Sequence, residues 1–360
     1  MPWRRTLWVG LLCAAVAVAV NTIMLHQVGY SGDEPYYARM AAHPAGPHNF
    51  PYAFRVGVPG LVRLLPFDPS FAFIAIALTA AAIAAAALFA LLGEFGIAPG
   101  LAGGLAVGFV VSPPLLVTFL RNGISVDPVT IMIITLGALF IVRRRRVALA
   151  LTLLAGVTVH ESCLYVIPLA YAVWARRPFD APALRDVALV ATVPGLLYLR
   201  LRGSIQAVGE QYQPGYYGPF VTERIDVLRL ALRGHGWAGE LRRLTLAYGP
   251  LWLAAPWALR DQPFARRGLV LVVLCVASMT FALDWGRLIF FAAPVFYVAA
   301  AWVLRNRRRL ALAAVLGLLV LDAGYAVYMQ VHGVRHGLDS TAPPARGPVA
   351  FSPANGGRAA

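Results

Sequence analysis

The chain has 360 residues, of which 59% are hydrophobic and 13% charged, with a mean hydropathy of +0.69 and a formal net charge of +15. Soluble domains carry roughly a quarter charged residues, so this composition excludes an ordinary soluble domain and predicts an all-α polytopic membrane protein. The basic excess excludes a nucleic-acid binder as well, because the arginines punctuate apolar runs instead of gathering on one soluble face.

A helix needs about 20 residues to cross the hydrocarbon. Apolar runs at 6–25, 69–92, 99–119, 127–142, 147–159, 162–174, 186–200, 244–259, 268–283, 288–304 and 310–329 predict about eleven transmembrane helices, within a range of 10 to 12. Arginine-rich short loops stay in the cytoplasm. Arg4-Arg5, Arg143 to Arg146, Arg176-Arg177, Arg260 with Arg266-Arg267, and Arg305 with Arg307 to Arg309 all fall on one side of this topology, which places the N-terminus in the cytoplasm. Residues 1–337 then form one transmembrane domain with outer loops 26–68 and 201–243, and 338–360 form a disordered external tail rich in Pro, Gly and Ala. The basic start and Ala-rich core of the first run resemble a signal peptide, but a retained span tethers the next loop better. Every basic residue is arginine, which fits either planar recognition of phosphate or a bias in codon usage. Cys13, Cys163 and Cys275 lie in apolar segments and read as small buried hydrophobes.

The polar motifs collect at the other ends of the helices. In loop 26–68, Asp33 and Glu34 precede Pro35, which suits the first turn of a short helix through about Ala42. Asp33 then lies near a helix N-terminus, where the dipole favours an ionised carboxylate fit to be a general base. A helix cap with a solvated neighbour explains the same letters. Pro35 is expected to hold Glu34 extended. Residues 55–66 predict an amphipathic interfacial helix carrying Arg55 and Arg63, with Pro59 and Gly60 leaving a re-entrant loop open.

Gly100 to Gly108 favour close helix packing, not a nucleotide loop. Arg121-Asn122-Gly123 ends the third span. The run 147–174 is too long for one ordinary span and short for two; either a pair of short helices meets at His160-Glu161 or one long tilted helix carries that pair. Arg121 and Arg287 suit bidentate phosphate contacts, or simple ion pairing with Asp127 and Asp284. The tyrosines Tyr36, Tyr212 and Tyr216 suit stacking on a sugar or an interfacial aromatic belt. No metal-ligand spacing and no nucleotide fingerprint is found.

An acidic pair in the first outer loop of a chain with about eleven spans, followed by a short helix, an interfacial segment and a hairpin at His160-Glu161, resembles the GT-C superfamily of membrane glycosyltransferases. Arg121-Asn122-Gly123-Ile124-Ser125 together with His160-Glu161-Ser162 is similar to signatures of EpsG-type polysaccharide-assembly proteins. The GT-C resemblance implies a bacterial cytoplasmic membrane enzyme with its site facing outside. It would transfer a sugar from a polyprenyl-phosphate donor to a cell-envelope glycan, lipid or protein, with inversion. Asp33 or Glu34 would be the base. Arg121, His160, Arg287, Arg55 and Arg224 would face the donor phosphate. Glu161, Tyr36, Tyr212, Tyr216 and Asp284 would meet the acceptor or sugar. No cofactor is implied, and a divalent cation is left open. The chain also lacks the large C-terminal soluble domain of many such enzymes. An EpsG-like polymerase, a transporter or flippase of lipid-linked or anionic solutes, and a non-catalytic assembly partner are the competing classes.

Overall fold

The computed structural model describes residues 3–24, 33–44, 46, 48–49, 52–116, 123–205, 207–208, 241–280 and 285–332. Apart from a two-residue parallel pairing of His48 with Ala207 and Asn49 with Val208, the regular structure there is helical. The helices are α1 (Trp3–Met24), α2 (Glu34–Ala42), α3 (Gly57–Leu64), α4 (Pro69–Glu94), α5 (Pro99–Val110), α6 (Asp127–Val142), α7 (Arg146–Gly156), α8 (Val166–Trp174), α9 (Ala181–Ser204), α10 (Pro263–Ser278), α11 (Trp285–Phe290), α12 (Ala293–Leu304) and α13 (Arg308–His332). Residues 241–248 are also helical, and three short turns follow between Leu251 and Asp261.

Among the described residues, five helices are long and apolar enough to cross a bilayer: Arg4–Thr22, Pro69–Glu94, Pro99–Leu116, Ala181–Ser204 and Arg308–Tyr328. The other predicted spans fall on shorter or broken helices, among them Asp127–Val142, Arg146–Gly156 and Ala293–Leu304. Large apolar side chains are exposed along α1, α9 and α13, including Trp8, Leu11, Leu189, Leu196, Leu316 and Val320. A water-soluble protein rarely exposes apolar surface on this scale, whereas a bilayer accepts it. The chain is a helical membrane protein.

The core is built on α4, which packs against α1, α5 and α6. Its inward residues are mostly alanines, such as Ala77, Ala81, Ala84 and Ala85, and small side chains let neighbouring helices approach closely. The Gly-rich α5 acts the same way against α13: a Cβ on Gly108 would lie 2.4 Å from Leu318 Cδ2. All three cysteines are free and buried, in keeping with a role as small hydrophobes.

The run 147–174 is not one long helix. After α7 the chain breaks at residues 157–160, with His160 extended at φ −161° and ψ 139°, makes a 3-10 turn over Glu161–Tyr165, and resumes as α8. Glu34 is the first residue of α2 and not extended, contrary to the expectation from Pro35. Pro35 stands at a first-turn position whose N–H has no partner within a helix, so the ring removes nothing there.

Candidate functional site

Two features fold the segment around the acidic pair against the rest of the bundle. The first is the aromatic run after Pro35. Tyr37 is fully buried, Tyr36 stacks on Tyr52 with ring centroids 4.4 Å apart, and Tyr37 meets Tyr52 edge-on at 5.5 Å. The second is Gly57, whose backbone N–H donates to the Thr158 carbonyl at 2.7 Å. A Cβ at Gly57 would lie 2.3 Å from Thr158 Oγ1, so only glycine lets the chain come this close. The contact fixes the start of α3 to the break after α7, and it carries Arg55 to Glu161.

Asp33 stands at the N-cap position of α2, yet its side chain caps nothing. Tyr52 Oη donates to Asp33 Oδ1 at 2.7 Å, and Oδ2 faces Arg287 Nη1 at 3.5 Å, with 21% of the side chain exposed. Burial, reinforced by the Asp33 carboxylate beside it, pushes the Tyr52 phenol well above its ordinary range, so it stays a donor. Glu34 is buried. The reading as a cap with a solvated neighbour therefore fails on both residues.

Arg287, at the start of α11, also donates to Asp127 Oδ2 at 2.7 Å. Asp127 opens α6, is almost wholly buried, and accepts from Ser125 Oγ at 3.0 Å. One guanidinium thus bridges the carboxylates of Asp33 and Asp127, nearly a hundred residues apart in the chain. Arg55 forms the second bridge. Its Nη2 and Nε donate to the two oxygens of Glu161 at 2.7 and 3.3 Å, and its Nη1 donates to Tyr37 Oη at 2.8 Å. Burial works against the charge on Arg55, but Glu161 and Tyr37 outweigh it and hold the guanidinium charged.

His160 completes the group. Its Nδ1 accepts the Ser162 N–H at 3.1 Å, which assigns the proton to Nε2. Burial, followed by the nearby Arg55 charge, lowers its pKa to about 4. The ring is neutral near pH 7, so its 3.9 Å approach to Glu161 is not an ion pair. Phe291 lies edge-on to the imidazole at 5.8 Å.

Of the residues expected at a site, the fold brings together Asp33, Glu34, Tyr36, Arg55, His160, Glu161 and Arg287, drawn from four segments of the chain. Arg121, Tyr212, Tyr216, Arg224 and Asp284 lie outside the described residues. Arg55 is not held ready for a phosphate, since Glu161 and Tyr37 already engage it. Among the described residues of this network two guanidinium groups face three carboxylates, those of Asp33, Asp127 and Glu161. Among the described residues no three His, Cys, Asp or Glu side chains gather in a way that could hold a metal ion.

The sequence does not show the roles of four partners in this network. Tyr37 and Tyr52 carry no signal of their own among so many aromatic residues, and Ser125 enters the sequence only as part of the arginine-glycine signature. Asp127 was noticed, but as a partner for Arg121. No protein-family model matches the chain, and no curated protein matches it.

Proposed function

We propose that the chain is a membrane glycosyltransferase of the GT-C kind, using a polyprenyl-phosphate sugar and an envelope glycan, lipid or protein as acceptor. The carrying observation is the placement of Asp33. Its carboxylate is oriented by Tyr52 and by Arg287, and is partly exposed at the end of the bundle where Arg55, Asp127, His160 and Glu161 also gather. In the reaction the acceptor hydroxyl attacks the anomeric carbon, its proton passes to Asp33, and the bond to the lipid phosphate breaks with the electron pair leaving on phosphate. The leaving group is already anionic, so cations near it matter more than a proton donor. Glu161, partly exposed and held by Arg55, is placed to accept a hydrogen bond from a sugar hydroxyl, with Tyr36 stacked on Tyr52 beside Asp33.

The same reading counts about eleven spans in a bacterial cytoplasmic membrane, with the N-terminus inside and the site facing outside. The short helices Asp127–Val142 and Arg146–Gly156 are then packed spans covering part of the bilayer depth. Membranes supplied with labelled lipid-linked sugar test the proposal. Asp33→Asn should lower transfer about 10²- to 10⁴-fold, the usual contribution of a positioned base. Transfer at the wild-type rate in both Asp33→Asn and Glu34→Gln would sink it.

One observation favours a second reading, transport of a lipid-linked or anionic solute. Asp322 in α13 is fully buried, and among the described residues both its carboxylate oxygens are unpartnered, as are the buried Tyr297 hydroxyl and Asn21 Oδ1. Acids within a membrane mark ion and proton pathways. Asp322→Asn separates the readings: a transferase keeps its transfer rate, whereas a transporter loses uptake in proteoliposomes.

A further inference from the structure

Among the described residues the network around Asp33 contains more carboxylates than guanidinium groups, and Arg55 and Arg287 are each engaged with acids. A phosphate arriving there needs another cation. Arg202, in the last turn of α9, is differently placed. Its guanidinium lies 4.1 Å above the Phe54 ring and 5.2 Å from the Tyr198 ring centre. Its Nε is closed off from solvent without a hydrogen-bond partner, and no ion pair to it is found among the described residues. A cation in the last turn of a helix is favoured by the dipole, but that accounts for a guanidinium left in solvent, not for one pressed on aromatic faces with a buried open donor.

Two further features define what could reach it. Phe54 adjoins Arg55 and belongs to the same 3-10 turn as Tyr52, the partner of Asp33, so Arg202 borders the network from the α9 side. The pairing of residues 48–49 with 207–208 ties the chain just after α9 to the loop before Tyr52. The outward face of α9 is apolar, with Leu189, Val193, Leu196 and Leu199 all more than 60% exposed. This ladder ends one turn before Arg202, and a Cβ on the adjacent Gly203 would meet nothing within 4 Å.

We infer that Arg202 binds the phosphate of a lipid whose hydrocarbon chain lies along the apolar face of α9, with the headgroup turned towards the Asp33 network. The chemistry requires a phosphate monoester or diester joined to a long apolar tail. Planar, charged donors suit phosphate oxygens, and the bilayer-facing leucine ladder of α9 gives the tail a surface to lie along. The choice of a polyprenyl phosphate as ligand rests on the proposed glycosyl transfer; the anion site itself does not.

The test is binding to the full-length protein in nanodiscs, read by native mass spectrometry, with polyprenyl phosphate as probe and polyprenol and inorganic phosphate as competitors. Arg202→Gln should weaken polyprenyl phosphate binding about 10- to 100-fold, the loss expected for hydrogen bonds to a charged group. Arg202→Lys should retain part of it, and neither competitor should displace the probe. Melting curves of both variants check the fold, and the comparison between Gln and Lys holds even if each is mildly destabilised. Unchanged binding in Arg202→Gln overturns the inference. Displacement by inorganic phosphate at equal concentration also overturns it, by showing a free-anion site. If binding depends on Arg202 but the wild type transfers no sugar, the lipid-phosphate site stands and the transferase reading falls; the reverse result removes the site alone.

Discussion

The two ends of the bundle use the same residue types to opposite effect. At the arginine-rich end, Arg143 pairs with Glu94 at 2.8 Å, Arg146 pairs with Asp186, and Arg305 lies 3.2 Å over the Trp302 ring. These arginines are largely exposed and meet whatever lies nearby. At the other end, Arg55 and Arg287 are mostly buried and bound to acids 106 and 160 residues away in the chain. Position relative to solvent decides what such pairs are worth. Exposed pairs contribute about 0–1 kcal/mol, whereas removing one partner of a buried pair costs about 3–5 kcal/mol, because the remaining charge is stranded. The arginines of one end are surface charges, and the bridges of the other are part of the architecture.

The largest break in this comparison should come from Arg55. We expect Arg55→Met to destabilise the protein by about 3–5 kcal/mol, and Arg143→Met by less than about 1 kcal/mol, in unfolding titrations in mixed detergent. The double variant Arg55→Met with Glu161→Met should recover much of the loss, since no charge is then left alone. Equal costs for Arg55→Met and Arg143→Met would remove the distinction between the two ends.

A smaller effect tests how the site end is assembled. Gly57→Ala forces a methyl against Thr158 Oγ1 and the Thr158 carbonyl, which would lie 2.3 and 3.0 Å away, and should cost about 1–3 kcal/mol. Gly60, three residues on in the same helix, has nothing within 4 Å of its would-be Cβ. Gly60→Ala should therefore stabilise α3 by about 0.5–1 kcal/mol. A Gly57→Ala protein as stable as the wild type would mean that loop 52–64 is not clamped to the break after α7.

Local signals carried some of these features and not others. The bounds of α2 followed from Pro35, the close packing of α5 followed from its glycines, and the 28-residue length of 147–174 was already suspicious. The side-chain partners were not legible, because they depend on helix packing between distant segments. Arg287 was weighed against Asp284, its neighbour in sequence, although in the fold it meets Asp127. Arg202 carries no signal in the sequence, because it falls just beyond the apolar run 186–200, within the loop 201–243. Asp322 is different: an aspartate inside the run 310–329 is visible in the sequence as an intramembrane acid.

A further effect distinguishes the two ends by pH. The pKa of His160 is lowered from 6.5 to about 4, so between these values the unfolded chain binds a proton that the folded protein refuses. The resulting stabilisation is fully present above pH 6.5 and is lost as the pH falls towards 4. His160→Asn places an amide oxygen where Nδ1 accepts the Ser162 N–H, keeping the local hydrogen bond while removing the titration. The wild type should thus lose more thermal stability than His160→Asn between pH 7 and about pH 4, and the two curves should run parallel above pH 7. Arg305→Ala, at the other end, should follow the wild-type curve throughout, because arginine does not titrate in this range. Parallel wild-type and His160→Asn curves across the acidic range would show that His160 is not shielded, and with it the burial that separates the two ends would be in question.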